Sequence, residues 1–495
     1  MSTTTEPGHK LLNEADFSGR IYIDGEWVVG GGGTLESTSP ATGEVLATVG
    51  LASVEDVARA AEGAAKAQRE WAALPHPARS AVLRRAGQLW EQHAAEIMDW
   101  NVREVGAIPP LAGFALHVTA SECYETAGLP SASLGSLLSS EEPRISFAQQ
   151  VPVGVVGVIS PFNVPLILGI RAVAPALALG NAVLLKPDPR TVVTGGVTMV
   201  RIFEEAGLPA GLLQLVPGGA DIGAAIVTDP KVAVIAFTGS TRAGRSVGEL
   251  AGRHLKRAHL ELGGNSAFIV REDADVDSAV NLATWGSFLN QGQICMTVGR
   301  HLVHESLFQE YVDKLAAKAD SMHVGDPAAG QVHLGPLIDA TQRDRVHSWV
   351  QDAVAAGATL AAGGTYEDLF YRPTVLANPP LDTAAFCEEV FGPVASVVPF
   401  ATDDEAVELA SATAYGLSLG IVSRDVLGAL EMGRRIPTGI VHINDQTVND
   451  EANTPFGGTG ASGTGSRHGG AQANIDAFTE TRWITLRREP AQYPL

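Results

Sequence analysis

Short apolar runs rich in valine and isoleucine alternate with longer alanine-rich runs over most of this chain. The short runs predict strands, and the longer runs, whose apolar positions recur at helical spacing, predict helices. Residues 151–159, 182–185, 213–216 and 232–237 are predicted strands, and an apolar helix is predicted over 165–179. Because alternating strands and helices favour a parallel sheet covered by helices, the pattern predicts an α/β protein with a dinucleotide-binding type of domain.

Local signals predict further elements near the N-terminus. Asp24-Gly25, inside the apolar run 21–28, predicts a β-hairpin. Ser53 followed by Asp56 predicts a capped helix that continues to about Trp71, and a second long helical pattern covers residues 77–105. Beyond Glu261 a second α/β series begins and extends to about residue 465.

One apolar stretch, residues 151–170, has no charged side chain and has the length of a membrane span. It contains Pro152, Pro161 and Pro165, which would leave backbone groups unpaired in lipid. The stretch therefore predicts a buried strand over residues 151–160 followed by a turn over 161–165, and membrane insertion is not expected.

Size and charge limit the classes of function. The 495 residues exceed what one hydrophobic core usually supports, so two or three domains are expected. The net charge of −21 makes nucleic acid and anionic membranes poor partners. The three cysteines are widely spaced, which fits a reducing cytoplasm and argues against a disulfide framework or a cysteine-based zinc site. Residues 1–12 lack an apolar core, so no signal peptide is predicted.

The strongest chemical signal is Cys295 in the run Asn-Gln-Gly-Gln-Ile-Cys-Met, together with Glu261 in Leu-Glu-Leu-Gly-Gly-Asn. A free thiol is mostly protonated near neutral pH, so a cysteine nucleophile needs a nearby base or dipole, and Glu261 is the candidate. The glycines at 292, 263 and 264 permit close backbone approach. A buried structural cysteine is the alternative, and the flanking glycine and amide residues favour function.

Three further positions suggest ligand contacts. Asn163 lies between Pro161 and Pro165, where a stiff backbone would preorganise its amide as an oxyanion donor, although asparagine is also common in turns. Residues 237–244 follow an apolar strand and open a predicted helix, whose N-terminus attracts phosphate, although an ordinary strand-to-helix turn explains the pattern equally well. Lys186 ends a predicted strand, where ligands bind in open α/β sheets; a solvated surface lysine is the alternative.

These motifs, in this order, resemble the NAD(P)-dependent aldehyde dehydrogenase superfamily over nearly the whole chain. The matching segments are residues 161–165, 237–244, 260–265, 290–295, 388–393 and 455–458. Within the superfamily, the likeness is greatest to bacterial aromatic aldehyde dehydrogenases of the benzaldehyde, salicylaldehyde and vanillin type. The segments that carry this narrower likeness are residues 186–191, 296–301 and 444–450.

The resemblance implies roles for the candidate residues. Cys295 would be the nucleophile, Glu261 the base for the deacylating water, and Asn163 an oxyanion donor together with the backbone N–H of Cys295. Cofactor contacts would come from Lys186, Gly219, Phe237, Gly239, Ser240, Gly244, Glu389 and Phe391. An aromatic slot would be lined by Ile167, Arg171, Trp285 and Val448, each of which could equally be ordinary core or, for Arg171, an interface ion pair.

The resemblance also implies an organisation. A Rossmann-type cofactor domain would comprise residues 1–129 and 150–261, a catalytic domain 262–465, and an oligomerisation element 130–149 with 466–495. Homodimers or homotetramers are expected. The implied reaction oxidises an aldehyde to a carboxylic acid through a thiohemiacetal and a thioester on Cys295.

One departure concerns the cofactor. Many NAD-using relatives carry a glutamate three residues after the lysine, where it binds the ribose 2′-hydroxyl and repels a 2′-phosphate. Pro189 stands there in this chain and Arg190, which could attract phosphate, follows it. NAD is the expected cofactor because the resemblance to the aromatic subgroup implies it, and the departure at Pro189 predicts that NADP is tolerated.

Several other functions remain open from the sequence. The same scaffold could oxidise an aliphatic aldehyde or a semialdehyde. A thiol hydrolase or a CoA-acylating transferase could use the same Cys295, although a glutamate base favours water as the acyl acceptor. A non-catalytic binding protein is a further alternative, because a fold does not guarantee a function.

Overall fold

The computed structural model describes residues 10–494, so most of the segment on which the absence of a signal peptide was predicted lies outside the described residues. The strands are β1 (Arg20–Ile23), β2 (Glu26–Val29), β3 (Thr34–Thr38), β4 (Val45–Gly50), β5 (Gly135–Leu137), β6 (Ile145–Pro152), β7 (Val155–Ile159), β8 (Ala182–Lys186), β9 (Leu213–Leu215), β10 (Val232–Thr238), β11 (Arg257–Glu261), β12 (Ser266–Val270), β13 (Val298–His304), β14 (Thr359–Ala362), β15 (Tyr366–Glu367), β16 (Phe370–Tyr371), β17 (Thr374–Ala377), β18 (Val394–Phe400), β19 (Ser418–Val422), β20 (Ile440–Ile443) and β21 (Thr479–Leu486).

The helices alternate with these strands. They are α1 (Glu14–Phe17), α2 (Val54–Ala73), α3 (His76–Gln92), α4 (Ala94–Trp100), α5 (Pro109–Thr126), α6 (Pro165–Ala178), α7 (Thr198–Glu205), α8 (Ala220–Thr228), α9 (Thr241–Arg253), α10 (Val276–Phe288), α11 (Phe308–Asp320), α12 (Ala340–Ala355), α13 (Ala384–Cys387), α14 (Asp403–Ser411), α15 (Val426–Arg434) and α16 (Ala471–Phe478). Short π-helical turns cover Asn101–Val105 and Val193–Val197, and 3₁₀ turns cover Leu129–Ser131, Pro189–Thr191, Leu289–Gly292 and Gly460–Ser462.

Two seven-stranded sheets organise the chain, which confirms the predicted α/β class. The first has the order β11-β10-β7-β8-β9-β1-β2, in which β11 to β9 are parallel. The second has the order β14-β17-β18-β13-β12-β19-β20 and is parallel except at β14. A third, antiparallel sheet has the order β21-β6-β5. The domain boundaries proposed from the sequence stay a prediction.

The structure confirms the hairpin and the helix cap that were predicted from neighbouring residues. Asp24 and Gly25 turn the hairpin with φ of 53° and 87°. The Ser53 hydroxyl accepts from the backbone N–H of Asp56, whose carboxylate accepts from the Ser53 backbone, so α2 begins with a capping box. The long helical pattern over residues 77–105 is interrupted at His93, where α3 ends and α4 begins.

The prediction of one strand over residues 151–159 was wrong. Gly154 adopts a φ of 111° and separates β6, in the three-stranded sheet, from β7, in the first large sheet. Both pieces have strand-forming residues, and the glycine lets the chain change sheets between them. Within residues 10–494, no helix is both long and apolar enough to cross a bilayer.

The C-terminal segment returns to the first sheet. Ile475 and Phe478 of α16 are buried in the core that surrounds this sheet. The side-chain amide of Asn181 donates to the carbonyl of Phe478 (3.0 Å), and β21 pairs along the whole of β6. The last described elements therefore complete a core that begins near the N-terminus.

Candidate active site

The predicted nucleophile lies between α10 and β13, in a loop with an unusual backbone. Asn290, Gln291 and Gly292 have successive φ values of 52°, 58° and 67°. Such a conformation is strained for residues other than glycine and persists only where the surroundings enforce it. A Cβ atom on Gly292 would lie 2.1 Å from the carbonyl oxygen of Gly392, so this position requires glycine.

Buried amide side chains fix this loop. Gln291 Nε2 donates to the carbonyl of Gly106 (3.1 Å) and to that of Pro336 (2.8 Å). Gln293 Oε1 accepts from the backbone N–H of Ile338 (3.1 Å). The amide residues that flank the cysteine thus hold the loop against two separate segments of the chain, one at Gly106 and one at residues 336–338.

Asn163 lies directly against the same loop. Its Nδ2 donates to the carbonyl of Gln293 (2.8 Å), and its backbone carbonyl accepts from Asn290 Nδ2 (3.1 Å). Because an amide nitrogen carries two hydrogens, one remains to serve an oxyanion. The predicted oxyanion donor and the predicted nucleophile are therefore on contacting segments.

Glu261 is the last residue of β11 and is 4% exposed. Among the described residues, neither carboxylate oxygen makes a hydrogen bond of regular geometry, although the nearby backbone N–H of Gly458 lowers the pKa of the carboxyl. Burial raises the pKa of Glu261 to about 8, and the nearby Arg467 and Arg171 oppose that rise. A carboxyl group tuned in this way is suited to accept a proton near neutral pH.

The glycines after Glu261 bring it to the nucleophile. A Cβ atom on Gly264 would lie 2.4 Å from the carbonyl oxygen of Cys295, and one on Gly263 would lie 2.2 Å from Glu389 Oε2. Close backbone approach, inferred from the sequence, is thus the reason for both glycines.

The charge around Cys295 opposes thiolate formation. Burial raises the pKa of the Cys295 thiol well above its usual range, and the carboxylates of Glu389, Glu261 and Asp450 raise it further. An ionised Glu261 therefore disfavours the thiolate, and the help to the thiol predicted from the sequence would be limited to accepting its proton.

The predicted cofactor residues lie at the ends of parallel strands and the starts of helices. Lys186 ends β8 and is nearly buried, with the carbonyl of Pro187 at 3.4 Å from its Nζ. Gly219 precedes α8, and the Ser240 hydroxyl caps α9 by accepting from the N–H of Ala243. A nearly buried ammonium with one distant partner, beside two helix N-termini, fits the hydroxyl and phosphate groups of a dinucleotide.

The two predicted nicotinamide contacts lie next to the Glu261 segment. Glu389 Oε1 accepts from the backbone N–H of Gly264 (3.1 Å), and burial raises the pKa of Glu389 to about 7. Phe391 has a left-handed φ of 54°, and its ring packs edge-on against Phe162 at 5.9 Å.

The remaining predicted glycines are explained by packing. A Cβ atom on Gly244 would lie 2.2 Å from the side chain of Leu262, and one on Gly239 would lie 2.7 Å from the ring of Phe237. The contact at Gly244 lets α9 pack closely against Leu262, and the contact at Gly239 lies in the turn that leads from β10 into the N-terminus of α9.

Arg190 is already paired. Its guanidinium contacts the carboxylate of Asp188 twice (2.8 and 2.9 Å) and that of Asp339 once (2.7 Å). It also lies over the ring of Phe162 at 4.1 Å. Two carboxylates offset its charge, which weakens the expectation that it attracts a 2′-phosphate.

The four predicted substrate residues have different environments. Val448 packs in an apolar cluster that includes Cys295, whereas Ile167 is buried in the core around the first sheet. Trp285, on α10, is 51% exposed. Arg171 is buried and ion-paired within the chain to Glu122 and Asp450.

Comparison with known proteins agrees with this arrangement. Residues 27–484 match the model of the aldehyde dehydrogenase family. The chain belongs to this family. A vanillin dehydrogenase of Amycolatopsis sp. is 62% identical to it over 98% of this chain and 99% of its own length. An NAD⁺-dependent benzaldehyde dehydrogenase of Pseudomonas putida is 48% identical over 96% and 98%.

A solved structure from the same family shows the same fold. The betaine aldehyde dehydrogenase of Staphylococcus aureus, determined in complex with NAD⁺, superposes with a TM-score of 0.93 at 30% identity and covers 97% of this chain and 96% of its own. This chain is accordingly an aldehyde dehydrogenase that uses a nicotinamide cofactor.

Sequence reasoning missed several groups around Glu261 in this aldehyde dehydrogenase. Arg467 and His468 approach it from the loop before α16, and Glu122 reaches Arg171 from α5. The sequence did contain a sign of the Arg171–Glu122 ion pair, because Arg171 is the single charged residue in the apolar sequence of α6. A lone charge on a buried helix predicts a buried partner of opposite charge.

Proposed function

We propose that this aldehyde dehydrogenase oxidises aromatic aldehydes to carboxylic acids with NAD as its preferred cofactor. The observation that carries the proposal is the similarity, over nearly the full length of both chains, to vanillin and benzaldehyde dehydrogenases. The apolar surroundings of Cys295, which include Val448, Phe456 and Met296, support a ring-bearing substrate.

The site residues divide the reaction into two stages. The Cys295 thiolate adds to the aldehyde carbon, and the new oxyanion accepts hydrogen bonds from Asn163 Nδ2 and the Cys295 backbone N–H. When bound, the nicotinamide accepts the hydride lost from that carbon. Glu261 then removes a proton from the water that attacks the Cys295 thioester, which releases the acid and regenerates the thiol.

A CoA-acylating or thiol-hydrolase reaction is the rival use of the same cysteine. The buried, partner-free carboxylate of Glu261 favours water as the acyl acceptor. Formation of reduced cofactor from aldehyde in the absence of CoA distinguishes dehydrogenation with hydrolysis from both rivals.

Substrate preference is tested with an aldehyde panel and the Trp285→Ala variant. We expect a higher kcat/KM for benzaldehyde-type substrates than for acetaldehyde, because an aromatic ring beside Trp285, Ile167 and Val448 gains both burial and oriented contact. Loss of the indole removes about 0.5–1.5 kcal/mol of ring contact, or roughly 2- to 13-fold, for benzaldehyde alone. Equal losses for both substrates would make Trp285 a support of the cysteine loop, and a wild-type preference for acetaldehyde would refute the aromatic assignment.

Cofactor preference is tested at Pro189. We expect the wild type to prefer NAD and to accept NADP, and Pro189→Glu to lower kcat/KM for NADP at least about fivefold more than for NAD. The reason is repulsion of about 1 kcal/mol or more between the new carboxylate and the 2′-phosphate. Pro189→Gln is the matched control, since it removes the proline ring without adding charge. Unchanged NADP-to-NAD ratios, with unchanged dissociation constants by calorimetry, would place the 2′-pocket elsewhere.

The assembly is proposed to be a homodimer or homotetramer acting in the cytoplasm. The three-stranded sheet β21-β6-β5 supports the assembly, because it exposes apolar side chains on its antiparallel strands. These side chains are Leu137, Ile145, Trp483 and Leu486. A second copy of the chain would cover them, and exposed apolar strands of this kind favour pairing.

A further inference from the structure

A narrow cavity lies behind Glu261, between α6 and the ends of the parallel strands of the first sheet. Its volume of about 20 Å³ has room for one water molecule. Glu261, Arg171, His468 and Phe456 line it together with small and apolar residues. Cys295 and Asn163 do not line it, and neither do Ile167, Trp285 and Val448, so the cavity is separate from the proposed aldehyde position.

Three of the residues that line this cavity carry buried polar atoms without hydrogen-bond partners. Within the described part of the chain, no hydrogen bond reaches either carboxylate oxygen of Glu261, Nη1 of Arg171 or Nδ1 of His468. Leaving such groups unsatisfied is costly, and a buried water typically binds two to four of them. The cavity thus has both the size and the donors and acceptors of a water site.

The orientation of Arg171 is fixed on its other sides. Its Nε lies 3.3 Å from Glu122 Oε1, and its Nη2 pairs with Asp450 and donates to the carbonyl of Glu451 (3.1 Å). The guanidinium plane packs over the ring of Phe456 at 4.9 Å. These contacts leave Nη1 as the donor that remains for the cavity.

We propose that Arg171 is a positioning residue for hydrolysis of the thioester: its Nη1 holds one water against Glu261, which orients the carboxylate and stabilises its charged form. The inference rests on the proposed function, in which Glu261 deprotonates the attacking water. Arg171 touches neither substrate nor cofactor in this role and acts through Glu261. The water it holds stays in place, and a different water attacks the thioester.

The charges around Glu261 set the expected pH dependence. Arg467 and Arg171 face it as cations, and both lower its pKa. Cys295 and Glu261 also interact, Asp450 is paired with Arg171, and His468 stays neutral because burial lowers its pKa to about 3. Glu122 offsets part of the Arg171 charge when it is ionised, and because burial raises its pKa to about 8, it ionises over the same pH range as Glu261. Removing Arg171 should therefore raise the pH at which Glu261 becomes active, and removing the Glu122 charge should lower it.

The test measures acid release in single turnovers by rapid quench, as a function of pH, together with the rate of reduced-cofactor formation. For Arg171→Met we expect cofactor reduction to continue while acid release at pH 7 falls roughly tenfold and its midpoint moves above the wild-type value. Arg171→Lys keeps a charge and should restore part of the rate. Glu122→Gln should move the midpoint in the opposite direction.

A lower midpoint in Glu122→Gln cannot come from a general loss of structure, so this variant keeps the test informative even if Arg171→Met fails to fold. Unmoved midpoints in the folded variants would overturn the inference. The inference would also be overturned if the Arg171 variants lost activity only with ring-hydroxylated aldehydes, because Arg171 would then be a substrate contact. If the wild type formed no reduced cofactor from any aldehyde, the proposed function itself would fail.

Discussion

Replacing Cys295 with alanine is expected to abolish aldehyde oxidation and to leave nucleotide binding intact. The loss should be on the order of 10⁶-fold, as in hydrolases that lose their covalent nucleophile, because the remaining oxyanion donors have no adduct to stabilise. Steady-state formation of reduced cofactor measures the first effect. Calorimetric titration with NAD measures the second.

Cys387→Ala is the matched control for this variant. Cys387 is partly exposed, and its sulfur has only a distant contact with the carbonyl of Asp382 (3.8 Å). Its replacement should leave turnover nearly unchanged. Substantial dehydrogenase activity in Cys295→Ala, or an equal loss in Cys387→Ala, would contradict the assignment of the nucleophile.

Glu261→Gln should separate the two stages of the reaction. The glutamine cannot accept a proton from water, so hydrolysis should slow about 10²- to 10⁴-fold while the first hydride transfer continues. Rapid mixing should then show about one equivalent of reduced cofactor per active site, followed by little turnover. A burst and a steady state that fell together would make Glu261 the base for the Cys295 thiol or a structural residue.

The pH dependence gives an independent check on Glu261. Its carboxyl must be deprotonated to act as a base, and burial raises its pKa to about 8. Hydrolysis in the wild type should therefore accelerate as the pH rises through about 8 and should decline below it. In Glu261→Gln, the residual hydrolysis should lose this transition.

Some features were predictable from the sequence because neighbouring residues determine them. The hairpin at Asp24-Gly25 and the capping box of Ser53 and Asp56 depend on contacts within four residues. The cysteine and glutamate motifs were also recognisable, since the glycines beside them mark close backbone approach, and the asparagine motif was recognisable from the two prolines that flank it. The structure brings these three motifs together, and their catalytic roles stay a prediction until the variants are measured.

Other features depend on partners that local sequence does not reveal. The ion pair of Arg171 with Asp450 joins residues separated by 279 positions, and no local pattern determines that pairing. Strand propensity over residues 151–159 was correct, but it could not show that the chain changes sheets at Gly154. For the same reason, the pattern around Trp285 did not reveal that its ring is half exposed.

The return of α16 and β21 to the N-terminal half has a consequence for biosynthesis. Phe478 fills the core around the first sheet, and β21 supplies one neighbour of β6. A chain still attached to the ribosome lacks these elements until residues 471–486 have been synthesised, so part of the apolar surface of the nascent N-terminal half stays uncovered until then. Such an intermediate is a target for chaperones and is prone to aggregation. Premature termination before residue 471 would thus disable the half of the protein that had already been made.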